Sequence, residues 1–194
     1  RLYRHFTPGG TKVFTDDGTK IHIEERPRSE QMSQLASRCI DGNRIRHVRD
    51  VPYFSWRYTN PRRTYCFLFA ESDQLDGYMV LQAGTTPLQS DVAIVDIMGT
   101  SLDVWRKLVS AALKIRGSME YTIWAVSLSV EQKAFLREAG FVAEEEPANI
   151  TRTGPGFLLK GVADKDLGQT PVNIADRLYD MENWNLQMID SDNL

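Results

Sequence analysis

The chain has 194 residues, of which 42% are hydrophobic, 25% charged and 10% aromatic, and its formal net charge is −3. This composition excludes collagen-like, low-complexity and wholly disordered chains, and it predicts one globular domain over residues 1–194. No apolar run approaches the roughly 18 residues of a membrane helix, and the first 20 residues do not resemble a signal peptide. The sequence therefore predicts a cytoplasmic protein with no membrane span.

The first elements along the chain are a hairpin and two helices. Residues 11–25 alternate around a turn at residues 16–18, which predicts the hairpin. The next apolar residues recur at helical spacing: Met32, Leu35, Ala36, Cys39 and Ile40. A short apolar helix from Val51 to Tyr58 follows and ends before Asn60–Pro61.

Three strand-like runs follow: Thr64–Ala70, Gly77–Ala83 and Asp91–Met98. They are apolar at both parities, so they are expected to form the centre of a mixed sheet with helices on both faces. This arrangement belongs to the α+β class.

The second half of the chain continues with alternating helices and strands. One helix carries Trp105, Leu108, Val109, Ala112 and Leu113 on one face. Strand Tyr121–Ser127 and a helix from Val130 to Ala139, with Ala134, Phe135 and Ala139 facing inward, come next. A strand after Gly140–Phe141 and two more at Phe157–Val162 and Trp184–Ile189 complete the prediction.

Arginines are concentrated in the N-terminal third. Residues 1–63 carry 13 Lys and Arg against 7 Asp and Glu, whereas residues 141–194 carry 4 against 10. The excess lies in Arg44, Arg46, Arg49, Arg57, Arg62 and Arg63. Guanidinium groups bind phosphates or carboxylates through paired hydrogen bonds. The alternative is a solvated surface that faces the acidic C-terminal part of the chain.

Metal and double-stranded DNA are both disfavoured as ligands. Two cysteines, Cys39 and Cys66, and three histidines are too few to indicate a zinc site or a disulfide framework. The net charge is negative and no DNA-recognition motif is present.

Asp96 interrupts the apolar run Val92–Met98, so we expect it to be buried. A desolvated carboxylate has a raised pKa and suits a general base that accepts a proton from an amine. The alternative is a structural aspartate that accepts backbone hydrogen bonds or pairs with an arginine of residues 44–63. Glu71, at a strand end, is a second candidate carboxylate and is assigned to substrate binding.

The triplet Trp56–Arg57–Tyr58 is a candidate substrate surface. Trp56 and Arg57 would hold an anionic or planar acceptor between an aromatic ring and a guanidinium. The alternative is a helix that packs its rings beneath the hairpin.

The order of elements resembles the GNAT superfamily of N-acetyltransferases. The stretch Phe135–Phe141, with its Gly-Phe ending, looks like the end of that family's fourth helix. Two other stretches, Tyr53–Pro61 and Trp184–Asp192, resemble a subset of bacterial acyltransferase-like proteins linked to polysaccharide assembly. The resemblance implies a mostly antiparallel sheet of six to seven strands in which the family's fourth and fifth strands diverge. In this sequence they are Asp91–Met98 and Tyr121–Ser127, and acyl-coenzyme A would lie between them.

The resemblance also implies roles for individual residues. Backbone groups of Val95, Ile97 and Met98 would pair with the pantetheine arm. Gly99, Thr100 and Ser101, with the following helix, would bind the pyrophosphate through backbone N–H groups and the helix dipole. Ser129 aligns with the family's companion Asn and is a candidate catalytic residue, whose hydroxyl would hydrogen-bond part of the cofactor. Its alternative role is a helix N-cap.

Two positions depart from the family pattern. Asp103 follows the expected phosphate loop, where a carboxylate repels a pyrophosphate. Leu136 stands where the family often has a tyrosine that protonates the departing thiolate.

Three functions follow as hypotheses. The first is an N-acyltransferase that uses acetyl-coenzyme A or another acyl-coenzyme A, without a metal, to acylate an amine of a small molecule or sugar. The second is a catalytically inactive structural or substrate-docking domain, with another domain upstream of Arg1 or with a homodimer partner. The third uses aminoacyl-tRNA, whose phosphates would contact the arginines of residues 44–63.

Overall fold

The computed structural model describes residues 13–14, 18–39, 46–61, 63–83, 91–115, 120–125 and 127–142. The strands are β1 (Val13–Phe14), β2 (Lys20–Glu24), β3 (Tyr65–Glu71), β4 (Leu75–Ala83), β5 (Asp91–Gly99) and β6 (Glu120–Ile123). The helices are α1 (Ser29–Arg38), α2 (Val51–Arg57), α3 (Leu102–Ile115) and α4 (Val130–Glu138).

The strands form one sheet in chain order, β1 to β6. All neighbouring pairs are antiparallel except β5 and β6, which run parallel. Because β1 has only two residues, five longer strands make up nearly all of the sheet. The predicted mixed α+β sheet is confirmed at this level, while the strands expected after Phe141 lie outside the described residues.

The pairing of β6 with β5 is short. It runs from Asp91 opposite Glu120 to Ile94 opposite Ile123. The predicted strand Tyr121–Ser127 is therefore wrong at its C-terminal end, because β6 stops at Ile123 while β5 continues to Gly99.

Helices cover both faces of the sheet, as predicted. On one face, α1 and α2 pack over a core that contains Met32, Leu35, Phe54, Phe67, Phe69 and Tyr78. On the other, α3 and α4 pack over Leu68, Met79, Leu81, Trp105, Leu108 and Leu136. Both faces of β3 and β4 are therefore removed from water, which explains why these strands are apolar at both parities.

The predicted inward face of α4 is partly wrong. Ala134 is exposed, Phe135 is half-buried and Leu136 is buried. Leu136 faces the core because Phe141, Trp105 and the other apolar residues of the α3 face surround this end of the helix.

A backbone cap ends α4 at Gly140. The N–H of Gly140 donates to the carbonyl of Arg137, and the N–H of Phe141 donates to the carbonyl of Leu136. Gly140 has φ of 91°, a conformation that glycine adopts without a Cβ penalty. These bonds form a Schellman motif, whose apolar residue after the glycine, Phe141, packs against the core. The cap that ends α4 therefore accounts for the Gly-Phe pair.

A β-bulge in β5 sets the direction of Asp96. Val80 of β4 pairs with Asp96, but the next residue, Leu81, pairs with Ile94. Val95 is the extra residue, and it interrupts the two-residue alternation of side chains. Val92 and Ile94 face α3, whereas Val95 and Asp96 both face α1 and α2.

Candidate functional site

Four side chains from distant parts of the chain meet beneath α2: Arg49, Tyr58, Tyr78 and Asp96. We call them the Asp96 cluster. One guanidinium nitrogen of Arg49 donates to both carboxylate oxygens, at 2.7 Å to Oδ1 and 2.9 Å to Oδ2. The Tyr58 and Tyr78 hydroxyls donate to Oδ2 at 2.8 and 3.1 Å. The Tyr78 hydroxyl also accepts from Arg49 at 2.9 Å.

The cluster is closed to solvent. The side chain of Asp96 is 0% exposed and that of Arg49 is 4% exposed. A buried charge is costly without a partner, and the attraction between ions strengthens in a medium of low dielectric constant. Each charge of the pair therefore depends on the other to remain in the core.

Local sequence places each member. Arg49 precedes Asp50, whose carboxylate accepts from the backbone N–H of Tyr53 at 2.8 Å and begins α2. Tyr58 immediately follows that helix. Tyr78 lies in the middle of the sheet on β4, and the bulge at Val95 aims Asp96 toward it.

Both tyrosines are neutral donors. Burial, followed by the nearby Asp96 charge, raises the pKa of Tyr58 and of Tyr78 well above the ordinary tyrosine value. The opposing effect of Arg49 is smaller than burial in both cases. Each hydroxyl therefore keeps its proton at neutral pH and donates a hydrogen bond to the carboxylate.

Asp96 is buried as expected, but its surroundings differ from those of a free general base. Its oxygen atoms already accept hydrogen bonds from a guanidinium and two hydroxyls. This arrangement is the structural alternative that the sequence left open, pairing with an arginine of residues 44–63. Chemically, the cluster holds β4, β5 and the residues flanking α2 in one position.

Among the described arginines of this segment, Arg46 contacts a different part of the fold from Arg49. Arg46 donates to the carbonyls of Cys39 and Ala36 at 3.0 and 3.1 Å, which holds the C-terminal end of α1. Arg44 and Arg62 lie outside the described residues. Arg46 and Arg49, two of the arginines in the positively charged N-terminal third, therefore form hydrogen bonds inside the fold.

The residues expected to hold acyl-coenzyme A lie together where β5 leads into α3. Val95 and Ile97 are buried, while Met98 and Gly99 are half-buried. The Thr100 N–H donates to the carbonyl of Asp76 at 2.9 Å. The Ser101 hydroxyl accepts from the N–H of Val104 at 3.2 Å, so it caps α3.

The backbone N–H groups of Thr100 and Val104, at the start of α3, therefore already donate hydrogen bonds within the protein. Asp103 is 70% exposed in the first turn and pairs with Lys107 at 2.8 Å. Its negative charge lies at the end of the helix where an anion would bind.

Ser129 occupies the N-cap of α4. Its hydroxyl accepts from the N–H of Gln132 at 3.2 Å, and the Gln132 side chain accepts from the N–H of Ser129 at 2.8 Å. This reciprocal capping box is the alternative role named for the residue.

The predicted substrate residues lie apart from one another. Trp56 is 67% exposed on α2, and the Arg57 guanidinium carbon lies 5.8 Å from the centre of its ring. Glu71 accepts from Arg28 at 3.2 Å and lies 3.3 Å from His22 Nε2, at the β2–β3 edge. The structure brings Trp56 and Arg57 together but leaves Glu71 in a separate charged group.

Sequence reasoning missed Tyr78 as a partner of Asp96. A signal was present, because Tyr78 stands within the apolar strand β4, and a buried tyrosine hydroxyl requires a hydrogen-bond partner. Gln82, four residues later on the same strand, was missed as well. It is 6% exposed, and its Oε1 has no hydrogen-bond partner within the described part of the chain.

None of the helices in the described ranges is long and apolar enough to cross a membrane. Within the same ranges, no group of three or more His, Cys, Asp or Glu side chains is arranged to hold a metal ion. Comparison of the chain with protein-family models, curated protein sequences and solved structures finds no match.

Proposed function

We propose that the chain is an acyl-coenzyme A-dependent N-acyltransferase of the GNAT type. The observation that carries this proposal is the short parallel pairing of β5 with β6. The two strands pair only as far as Ile94 and Ile123, and β5 then continues through the bulge at Val95 to the start of α3. A cleft at this point would receive an extended, amide-bearing pantetheine arm along the backbone of Val95 to Met98.

In the proposed reaction, the acceptor nitrogen attacks the carbonyl carbon of the thioester. A C–N bond forms, the C–S bond breaks, and the proton lost by the nitrogen ends on the released thiol. The Asp96 cluster supports this reaction by fixing the bulge beside the cleft. The loop Gly99–Ser101 and the remaining N–H groups of α3 bind the pyrophosphate.

The proposal is tested by calorimetry with acetyl-coenzyme A and by thermal shift at millimolar ligand. Saturable binding is expected, together with stabilisation of the fold by mass action. The absence of both heat and stabilisation would contradict the proposal.

A matched pair of variants locates the binding site. Asp103→Asn removes the carboxylate at the start of α3 and frees Lys107, so affinity for acetyl-coenzyme A should rise about twofold to fivefold. Asp73→Asn, the same change in the exposed β3–β4 turn, should leave affinity unchanged. An equal effect of both variants would argue against a pyrophosphate at α3.

A second function, a non-catalytic docking domain, is favoured by the structural roles of three candidate positions. Asp96 is held by Arg49, Ser129 caps α4, and Leu136 is buried. If the chain binds acetyl-coenzyme A but transfers no acyl group to any amine of a broad panel, this second function is supported over the first.

A further inference from the structure

The face of the sheet under α1 and α2 contains a buried acceptor that lacks a donor. Gln82 follows Tyr78 and Val80 at two-residue spacing, so all three point to this face. Its cross-strand neighbours are Tyr65 on β3 and Ala93 on β5. Buried polar atoms are nearly always hydrogen-bonded, so an Oε1 without a partner in the described ranges indicates a place for a ligand donor.

Two arginines flank the tyrosines on this side of the sheet. Arg57 directly precedes Tyr58, and Arg63 lies two residues before Tyr65, the cross-strand neighbour of Gln82. Burial raises the pKa of the Tyr65 hydroxyl, and the charges of Arg57 and Arg63 act in the opposite direction. The rings of Tyr65 and Tyr58 are 5.3 Å apart, which places this group at the C-terminal end of α2. The exposed Trp56 ring lies beside Arg57.

A neutral acceptor on the face that these two arginines flank suits a ligand with both an N–H donor and a negative group. We propose that Gln82, Arg57 and Arg63 form a binding site for an amine that carries a phosphate or a carboxylate. The arginines bind the anionic group, and Gln82 Oε1 accepts a hydrogen bond from the amine or from a neighbouring hydroxyl.

Naming this ligand as the acyl acceptor rests on the proposed acyltransferase function, whereas the binding site itself does not. The site lies on the α2 side of β4 and β5. Calorimetry without an acyl donor therefore tests the site separately from acetyl-coenzyme A binding.

The probes share one amino sugar. Glucosamine 6-phosphate carries a phosphate, muramic acid carries a carboxylate, and glucosamine carries neither. At least one of the two probes with an anionic group should bind about tenfold or more tightly than glucosamine, and the preferred probe identifies that group. Arg57→Gln, Arg63→Gln and Gln82→Leu should each weaken binding of that probe by about tenfold.

Arg137→Gln is the control, because it removes the same charge from exposed α4 on the opposite face. The site would be overturned if glucosamine bound as tightly as both probes with an anionic group, or if neither of those two probes showed saturable binding. An equal loss of binding in Arg137→Gln would also overturn it. Unchanged affinity in Gln82→Leu would also overturn it. If Gln82→Leu does not fold, Gln82→Met is measured in its place. If neither folds, unchanged affinity in both Arg57→Gln and Arg63→Gln overturns the site.

Discussion

At the scale of single residues, the described part of the fold contains a buried ion pair. Arg49 and Asp96 are 47 residues apart in sequence and meet at 2.7 Å in the core. Two tyrosine hydroxyls complete the hydrogen bonding of the carboxylate. Removing one charge leaves the other buried without compensation, which is costlier than removing both.

We expect Asp96→Asn to lower the free energy of unfolding by about 3–5 kcal/mol, because Arg49 then remains charged in the core. The double variant Arg49→Met/Asp96→Asn should recover most of this loss, because neither buried charge remains. Urea denaturation followed by circular dichroism measures both values.

Asp103→Asn is the matched control for this experiment. It breaks the exposed pair with Lys107, and such pairs contribute about 0–1 kcal/mol. A loss in Asp96→Asn no larger than in this control would show that the buried pair does not stabilise the fold.

Stability should fall at high pH because of the buried tyrosines. In the unfolded chain a tyrosine ionises near pH 10, whereas burial raises the pKa of Tyr58 and Tyr78 well above that value. Above about pH 10 the folded state therefore retains protons that the unfolded state loses. The contribution is fully present below this pH and declines above it.

Each tyrosine contributes up to about 1.4 kcal/mol per pH unit to this decline. The Cys66 thiol, whose pKa burial raises to about 12, adds to it. With Tyr78→Phe, the free energy of unfolding measured by urea denaturation should fall less steeply between pH 9 and pH 11. An unchanged slope would mean that Tyr78 ionises in the folded protein as it does in the unfolded chain.

At the scale of elements, the packing of α3 on β4 leaves no room for a side chain at Gly77. A Cβ built at Gly77 would lie 2.6 Å from Val104 Cγ1 and 2.9 Å from the carbonyl oxygen of Met98. Any side chain at this position forces α3 or β5 to shift. The approach of α3 to the sheet in turn positions the loop Gly99–Ser101.

Gly77→Ala should therefore destabilise the fold by about 1–3 kcal/mol through overpacking. Adding Val104→Ala removes the closest contact and should restore part of the loss, but not all, since the Met98 carbonyl remains. Thermal denaturation of the two variants measures the difference. Equal stability of Gly77→Ala and the parent chain would contradict the close packing of α3 on β4.

At the scale of the whole molecule, the sheet separates two cores that share its central strands. Residues of β3 and β4 contribute to both cores, whereas β6 pairs with β5 over four residues at the edge of the described sheet. Strands buried on both faces open only when most of the fold opens.

Native-state hydrogen exchange should show this difference. Amides of β3 and β4 should exchange at the rate of global unfolding, and those of β6 should exchange faster, through local opening. Equal protection of β6 and β4 would mean that β6 is held by more than the four-residue pairing.

Much of the fold is predictable from local patterns. Apolar residues at both parities predicted strands covered on both sides, and helical spacing predicted a helix at the place of α1 and another at the place of α3. Asp50 before α2 and Gly140 after α4 are short-range signals, because caps depend on residues within one turn of the helix.

Only the tertiary structure decided what Asp96 contacts. Regular alternation would place Asp96 with Val92 and Ile94 on the α3 face, but the bulge at Val95 turns it to the other face. A bulge depends on the register with a neighbouring strand, and no residue of β5 by itself specifies it.

The sequence by itself determined that a charge would be buried in the central sheet and that helices would cover both sides, because these features follow from the hydrophobic pattern. The tertiary structure decided that Arg49, Tyr58 and Tyr78 enclose that charge, and that Gln82 faces the same side opposite Tyr65. The physical reason is that partners of buried polar groups come from segments distant in sequence, and chain folding alone brings these together.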